Sequence, residues 1–211
     1  MSSSMLRSRL VLPALLTISL GLAGCISLLP AAKPVQLYRF GPASPAPAAP
    51  APASLAVAKG GVAFQPAAAG DNLLTVTGHE AAFISTARWI EPASVMFDEV
   101  LTAAFDAPGA PRLVGLGGGA SGPATLRLEV RRFQTEYDRG PGAAPTVDIA
   151  INAVLIRNID RSFVAQKLFE VRQPAAENRV TAIVAAYDTA VGQAVAEVRD
   201  WTAVTAAPVK P

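Results

Sequence analysis

One cysteine and one histidine occur in the whole chain, and between them they exclude most of the chemistry a sequence can advertise. A single thiol, Cys25, permits no intrachain disulfide, so the fold has to hold by packing alone. A single imidazole, His79, permits no His-based metal cluster, and no Ser-His-Asp set can be built without it. Its surroundings, TGHEAAF, match no nucleophile elbow or zinc motif, and His79 reads as a loop residue near a strand end. Aromatic residues make up only 6% of the chain, and the 51% hydrophobic fraction rests heavily on alanine. No apolar run reaches the ~20 residues that a membrane-spanning helix needs.

Charge is scarce too, at 16% of residues, with a formal net of +2. That surplus is Arg7 and Arg9, which precede the apolar stretch Leu10–Leu22 (LVLPALLTISLGL). A basic start, a 13-residue apolar segment interrupted by Pro13 and Gly21, and then Leu22-Ala23-Gly24-Cys25 form a signal peptide ending in a lipobox-like motif. Residues 1–24 read as the leader, Cys25 as the lipidated residue, and 25–34 as lipidated terminus and tether. Without the leader the 18 basic residues fall to 16 and match the 16 acidic ones, a net charge of zero. A neutral protein has no electrostatic footprint for nucleic acid and no polybasic patch for lipid heads. More than one acyl chain on Cys25 would anchor it stably.

Residues 33–40, KPVQLYRF, alternate as a short strand, with Val35, Leu37 and Arg39 in one phase and Gln36, Tyr38 and Phe40 in the other. Residues 41–53, GPASPAPAAPAPA, carry five prolines and form neither helix nor ladder. Extended, they span roughly 40 Å. With a strand before it, this run reads as a looped-out connection and not as the tether. From 54 to 85 the strand signal is weak (LAVAKGGVAF, NLLTVTG, AAFIS). Residues 91–105 predict a helix with Pro92 at its first position and a stripe of Phe97, Val100, Leu101, Ala104 and Phe105; Pro108 and Gly109 end it.

The clearest strand is 124–137, where Leu126, Leu128 and Val130 alternate with Arg127, Glu129 and Arg131. The phase slips at Arg131–Arg132 before Phe133, which predicts a bulge. TVDIAINAVLIRNID and SFVAQKLFEV complete an antiparallel meander of three strands. From 178 to about 204 the apolar residues Val180, Ile183, Val184, Tyr187, Val191, Ala194, Val195, Val198 and Trp201 recur at threes and fours. Arg179, Asp188, Gln193, Glu197 and Arg199 fall mostly off that stripe. Trp201 is expected as a core anchor, and 205–211 as a frayed tail. The expected architecture is α+β: one domain over 35–204, an antiparallel sheet with a meander and two helices packed on one face.

Two decoys deserve a decision. GLGGGA (115–120) has the letters of a dinucleotide loop, but a strand and not a helix follows it, so a plain loop is the better reading. Glu136 and Asp138 share a face at a strand end, where acid–base work is conceivable. With Arg131, Arg132 and Arg139 beside them, they read as a solvated charge face. No catalytic, cofactor or metal residues are expected, and the chain is not expected to be an enzyme.

Four stretches in order, VQLYRF, ARWIEPASVMFDEVLTAAFD, LRLEVRRFQTEYD and IVAAYDTAVGQAVAEVRDWT, resemble the ABC-type transport auxiliary lipoprotein family, which includes paraquat-inducible protein C. Arg88, Trp89, Phe133, Glu136, Tyr137 and Trp201 carry the spacing, and the likeness spans about 35–204. The resemblance implies a non-enzymatic auxiliary subunit of a Mce-type ABC lipid transport system, with a Mce-domain protein, a permease and an ATPase as partners and homo-oligomerisation open. By the lipoprotein sorting rule, Ile26 after the cysteine implies the periplasmic face of the outer membrane over the inner one. A lipid-holding carrier and an envelope assembly or structural lipoprotein are the alternatives. If the motif is read as it stands here, Cys25→Ser leaves the precursor uncleaved, and mass spectrometry of the wild-type protein finds an acylated N-terminal cysteine. A mature terminus elsewhere overturns the reading.

Overall fold

The computed structural model describes residues 34–41, 47–48, 55–115, 122–140 and 142–209. Among these residues eight strands and two helices follow in the order β1 (Gln36–Tyr38), β2 (Ala56–Phe64), β3 (Asn72–Thr77), β4 (Glu80–Trp89), α1 (Ala93–Phe105), β5 (Arg112–Gly115), β6 (Ala124–Glu136), β7 (Thr146–Arg157), β8 (Phe163–Pro174) and α2 (Val180–Ala206), with one 3-10 turn at Pro66–Ala68.

The spine is β6. One edge pairs along its whole length with β7, antiparallel, and β7 pairs with β8 in the same way. Its other edge is divided. Residues 124–130 pair with β2, which carries β5 beyond it, while Thr135 and Glu136 pair with β3, which carries β4 and then β1. The division falls at a bulge: Val130 faces Ile151 and Arg132 faces Ala150, leaving Arg131 as the extra residue. Here the phase slip in the sequence is a real one. Gln65 N donates to Val130 O at 2.9 Å, closing the β2 ladder, and the Pro66–Ala68 turn leads the chain away to β3.

The class is α+β, but the sheet is mixed and not antiparallel throughout. β1/β4, β2/β5, β2/β6 and β3/β6 are parallel pairs. Short turns oblige β6–β8 to alternate direction, whereas β2 and β5 are joined across intervening elements that include α1, and such crossovers permit parallel neighbours. In β2, Gly60 sits so close to Thr125 and Arg127 that a Cβ would lie 2.5 Å from Thr125 Cγ2, and the ladder shifts register between Lys59 and Val62.

Pro92 is the residue before α1 and not its first turn; its carbonyl accepts from Val95 and Met96 at 2.9 and 3.1 Å. The orphan amides of Ala93 and Ser94 donate instead to Gly70 O and Ala69 O, so the two residues after the 3-10 turn cap the helix. Phe97, Leu101, Ala104 and Phe105 of the expected stripe are buried, with Val100 half-buried. α2 packs against β6, β7 and β8 and against α1. It runs to Ala206, and Val209 packs partly on the core beyond it.

The core centres on aromatics from five elements and the link after β1. Phe133 lies 5.0 Å from Tyr187 and 5.2 Å from both Phe40 and Phe64, and Trp89 meets Phe40 and Tyr187 edge-on at 5.0 and 5.2 Å. Phe97 meets Phe64 at 5.8 Å. Among the described residues every fully buried core residue lies between Phe40 and Ala206, within the compact unit of residues 35–211. Among the described residues no helix is long and apolar enough to cross a membrane.

Trp201 departs from expectation. It is half-buried, edge-on to Phe169 at 5.9 Å, whereas Trp89 is 2% exposed. Trp89→Ala is therefore expected to cost about 3–5 kcal/mol, and Trp201→Ala clearly less, as read from denaturant midpoints of residues 35–211. Equal losses would show that Trp201 is buried as deeply as Trp89.

Candidate functional site

Cys25, the one residue assigned a chemical fate by the sequence, lies outside the described residues, as do the leader and the greater part of the GLGGGA loop. Within them, three features could serve function: a cleft in the helix layer, a charged ladder on the opposite sheet face, and the turns at the strand ends.

The cleft lies between α1 and α2, with Phe40 and Gly41 contributing to it, and encloses about 170 Å3. Val100, Ala103, Ala104, Gly192, Val195 and Ala196 line it, small residues that leave space between two helices in contact. Arg39 and Glu99 pair across its rim at 2.7 Å. Arg199 closes the other side. It is 1% exposed, not on the outer surface where its distance from the apolar stripe seemed to put it. Its Nε donates to Asp200 at 2.8 Å and its Nη2 to Pro47 O at 2.8 Å. Asp188 accepts from Gly41 N at 2.8 Å, and burial raises its carboxyl pKa against that bond. Gly41 and Pro47 thus both rest on α2; the remainder of the Pro/Ala run, 42–46 and 49–53, lies outside the described residues. Arg199 stands four residues after Val195, a spacing that already placed it near the buried face.

On the far side of the sheet, Asp148 is 2% exposed although it faces away from the helices. Arg132 Nε donates to its Oδ2 at 2.7 Å and Arg132 Nη2 to Glu170 at 2.5 Å. Arg172 reaches Glu136 at 2.8 Å, Asp138 at 3.0 Å and Asp148 at 3.7 Å. Glu136 and Asp138 do share a face, and an arginine spans them. Burial raises the Asp148 pKa, the Arg132 guanidinium opposes this, and the Glu136 charge adds to it. The Glu170 hydrogen bond in turn raises Arg132. All four acids of this ladder, Asp148, Glu170, Glu136 and Asp138, hold an arginine at hydrogen-bond distance, which is a structural use of the carboxylates. His79 is exposed in the β3–β4 turn. Among the described residues no three His, Cys, Asp or Glu side chains gather as metal ligands.

The sequence profile of the ABC-type transport auxiliary lipoprotein component matches residues 38–199, from the end of β1 to Arg199. The chain belongs to this family. Protein XCC0632 from Xanthomonas campestris is 26% identical, with a TM-score of 0.69 over 81% of this chain and 96% of its own. A second solved structure, of an uncharacterized protein, is 17% identical with a TM-score of 0.56, covering 79% and 97% of the two chains, and shows the shared fold. No curated protein matches the chain. An ABC-type transport auxiliary lipoprotein is a component of the cell envelope's transport apparatus, and this one presents a mixed sheet with a helical layer on one face and a charged ladder on the other.

Because the Asp148 carboxyl is raised, the folded state holds its proton more tightly than the unfolded chain does. Stability from this group is full below pH ~4 and declines as pH rises through the folded value. Asp148→Asn should flatten the fall in urea midpoint above pH ~4; Asp188, also raised, leaves a residual slope. An unchanged slope would sink the assignment.

Proposed function

We propose that this lipoprotein is the periplasmic auxiliary subunit of a Mce-type ABC lipid transport system, held at the outer membrane through Cys25, and that it works by docking to the Mce-domain protein. It neither catalyses a reaction nor carries the lipid itself. Membership of the auxiliary family supports the association with an ABC transporter and its permease and ATPase.

The filled interior is the observation that carries the choice of docking over carriage. Along α2, Ile183, Tyr187, Ala190, Val191, Ala194, Val195 and Val198 are each at most 1% exposed against the sheet. Interiors packed in this way leave few voids larger than water. The cleft between the helices holds about 170 Å3, short of the ~300–1,000 Å3 that sites for drug-sized molecules offer. A diacyl lipid is larger still.

Residues 35–211 should therefore appear in native mass spectrometry without bound phospholipid, and should retain the Mce-domain protein in a pull-down. One phospholipid co-purifying per chain would replace docking with carriage. Failure to retain any Mce-domain protein, with the domain folded, would favour an envelope assembly lipoprotein.

A further inference from the structure

At the β7–β8 end of the sheet the balance of charge breaks down. Arg127 of β6 and Arg161 of the β7–β8 turn are both exposed, and among the described residues neither has an ion-pair partner. Together with Gly60, Thr125 and Ile156 they line a hollow of about 60 Å3. Arg157, at the end of β7, meets Asp160 only at 3.4 Å, and its Nε is buried without a hydrogen-bond partner. Asp160, the acid in the turn, is engaged by Ser162 through N at 3.0 Å and Oγ at 2.7 Å. The next acid along β6, Glu129, is held by Arg131 at 2.8 Å.

Apolar side chains stand among these cations. Ile159 is 74% exposed at the tip of the turn and Phe163 66% exposed where β8 begins. Cross-strand partners share a face. Ile156 pairs with Thr125 on one side and Phe163 on the other, so Phe163 and the arginine-lined hollow lie on the same, helix-free side. Arg161 is the one non-glycine residue with a positive φ, 60°, among those described. A side chain in that left-handed backbone is disfavoured where glycine or asparagine would be easy, yet an arginine stands there.

We propose that this turn is a membrane-contact tip, seating on an anionic phospholipid surface as a second contact distinct from the lipidated cysteine. Ile159 and Phe163 enter the interfacial layer, where exposed apolar groups gain by leaving water. Arg127 and Arg161 meet headgroup phosphates, for which the planar guanidinium is suited. A membrane fits better than an acidic protein partner because the side chains on offer are few, Ile159 and Arg161 in the turn between Arg157 and Ser162 with Arg127 and Phe163 beside it. A stable protein interface needs about 800 Å2 from each side.

Flotation of residues 35–211, the compact unit that holds the described core, tests this without the anchor. The domain should float with vesicles of phosphatidylethanolamine and phosphatidylglycerol at low salt, and much less with phosphatidylcholine alone. Arg127→Gln with Arg161→Gln should weaken that binding by on the order of thirtyfold. Ile159→Ser with Phe163→Ser should abolish it, and thermal midpoints should hold in both because the side chains are exposed. Absence of flotation with the anionic vesicles, or flotation undiminished in both variants, overturns the proposal. So does capture of a polyglutamate peptide by the tip in the absence of vesicle binding, which would assign it to an acidic protein.

Discussion

A single extra residue, Arg131, sets the arrangement of everything around β6. Up to Val130 the strand alternates apolar and charged residues and pairs with β2; past the bulge it resumes with Phe133 inward and pairs with β3. Had the alternation run on without the insertion, Phe133 would have faced away from the helices and Arg132 into them, since a one-residue slip moves every side chain to the other face. Instead Phe133 meets Phe40, Phe64 and Tyr187, and Arg132 meets Asp148 and Glu170. The aromatic core and the charged ladder are the two faces of one backbone irregularity.

Local features were legible in the sequence for physical reasons. The bulge showed because alternation breaks at it, the meander because short turns force strand reversal, and α2 because one stripe of Val, Ile and Ala recurs over 27 residues. Parallel pairings left no such mark, for they depend on where a crossover returns the chain. Buried polar groups were also hidden. Asp148 sits at an outward position of β7 and is covered only because Arg132 and Arg172 lean over it. Arg199 is buried through contacts with Pro47 and Asp200, one of them 152 positions away. Trp89 outranks Trp201 because it ends a strand inside the aromatic cluster, while Trp201 stands near the end of a helix, over Phe169.

A net charge of zero conceals segregation. Charges near the β6–β7 turn neutralise one another at contact distance, with Arg172 shared by three acids. Near the β7–β8 turn Arg127 and Arg161 have no such partner among the described residues, and large apolar side chains accompany them. The composition therefore excluded a polybasic protein but not a local basic surface, which arises only when the fold brings residues 127 and 161 together. The core is aromatic at its centre and closed by Ala, Val and Ile along α2, so what the fold presents to partners is its surface.

The N-terminal strand has a mechanical consequence. β1 pairs with β4 through only Gln36, Leu37 and Tyr38, in parallel. Any pull applied to the chain upstream of Val35 is borne first by that short ladder. Behind it stand the buried Phe40, the Gly41 amide on Asp188 and the Pro47 carbonyl on Arg199. Force would meet these contacts in series before it reached the ladder of β2 on β6, so the entry point resists in steps and not at a single bond.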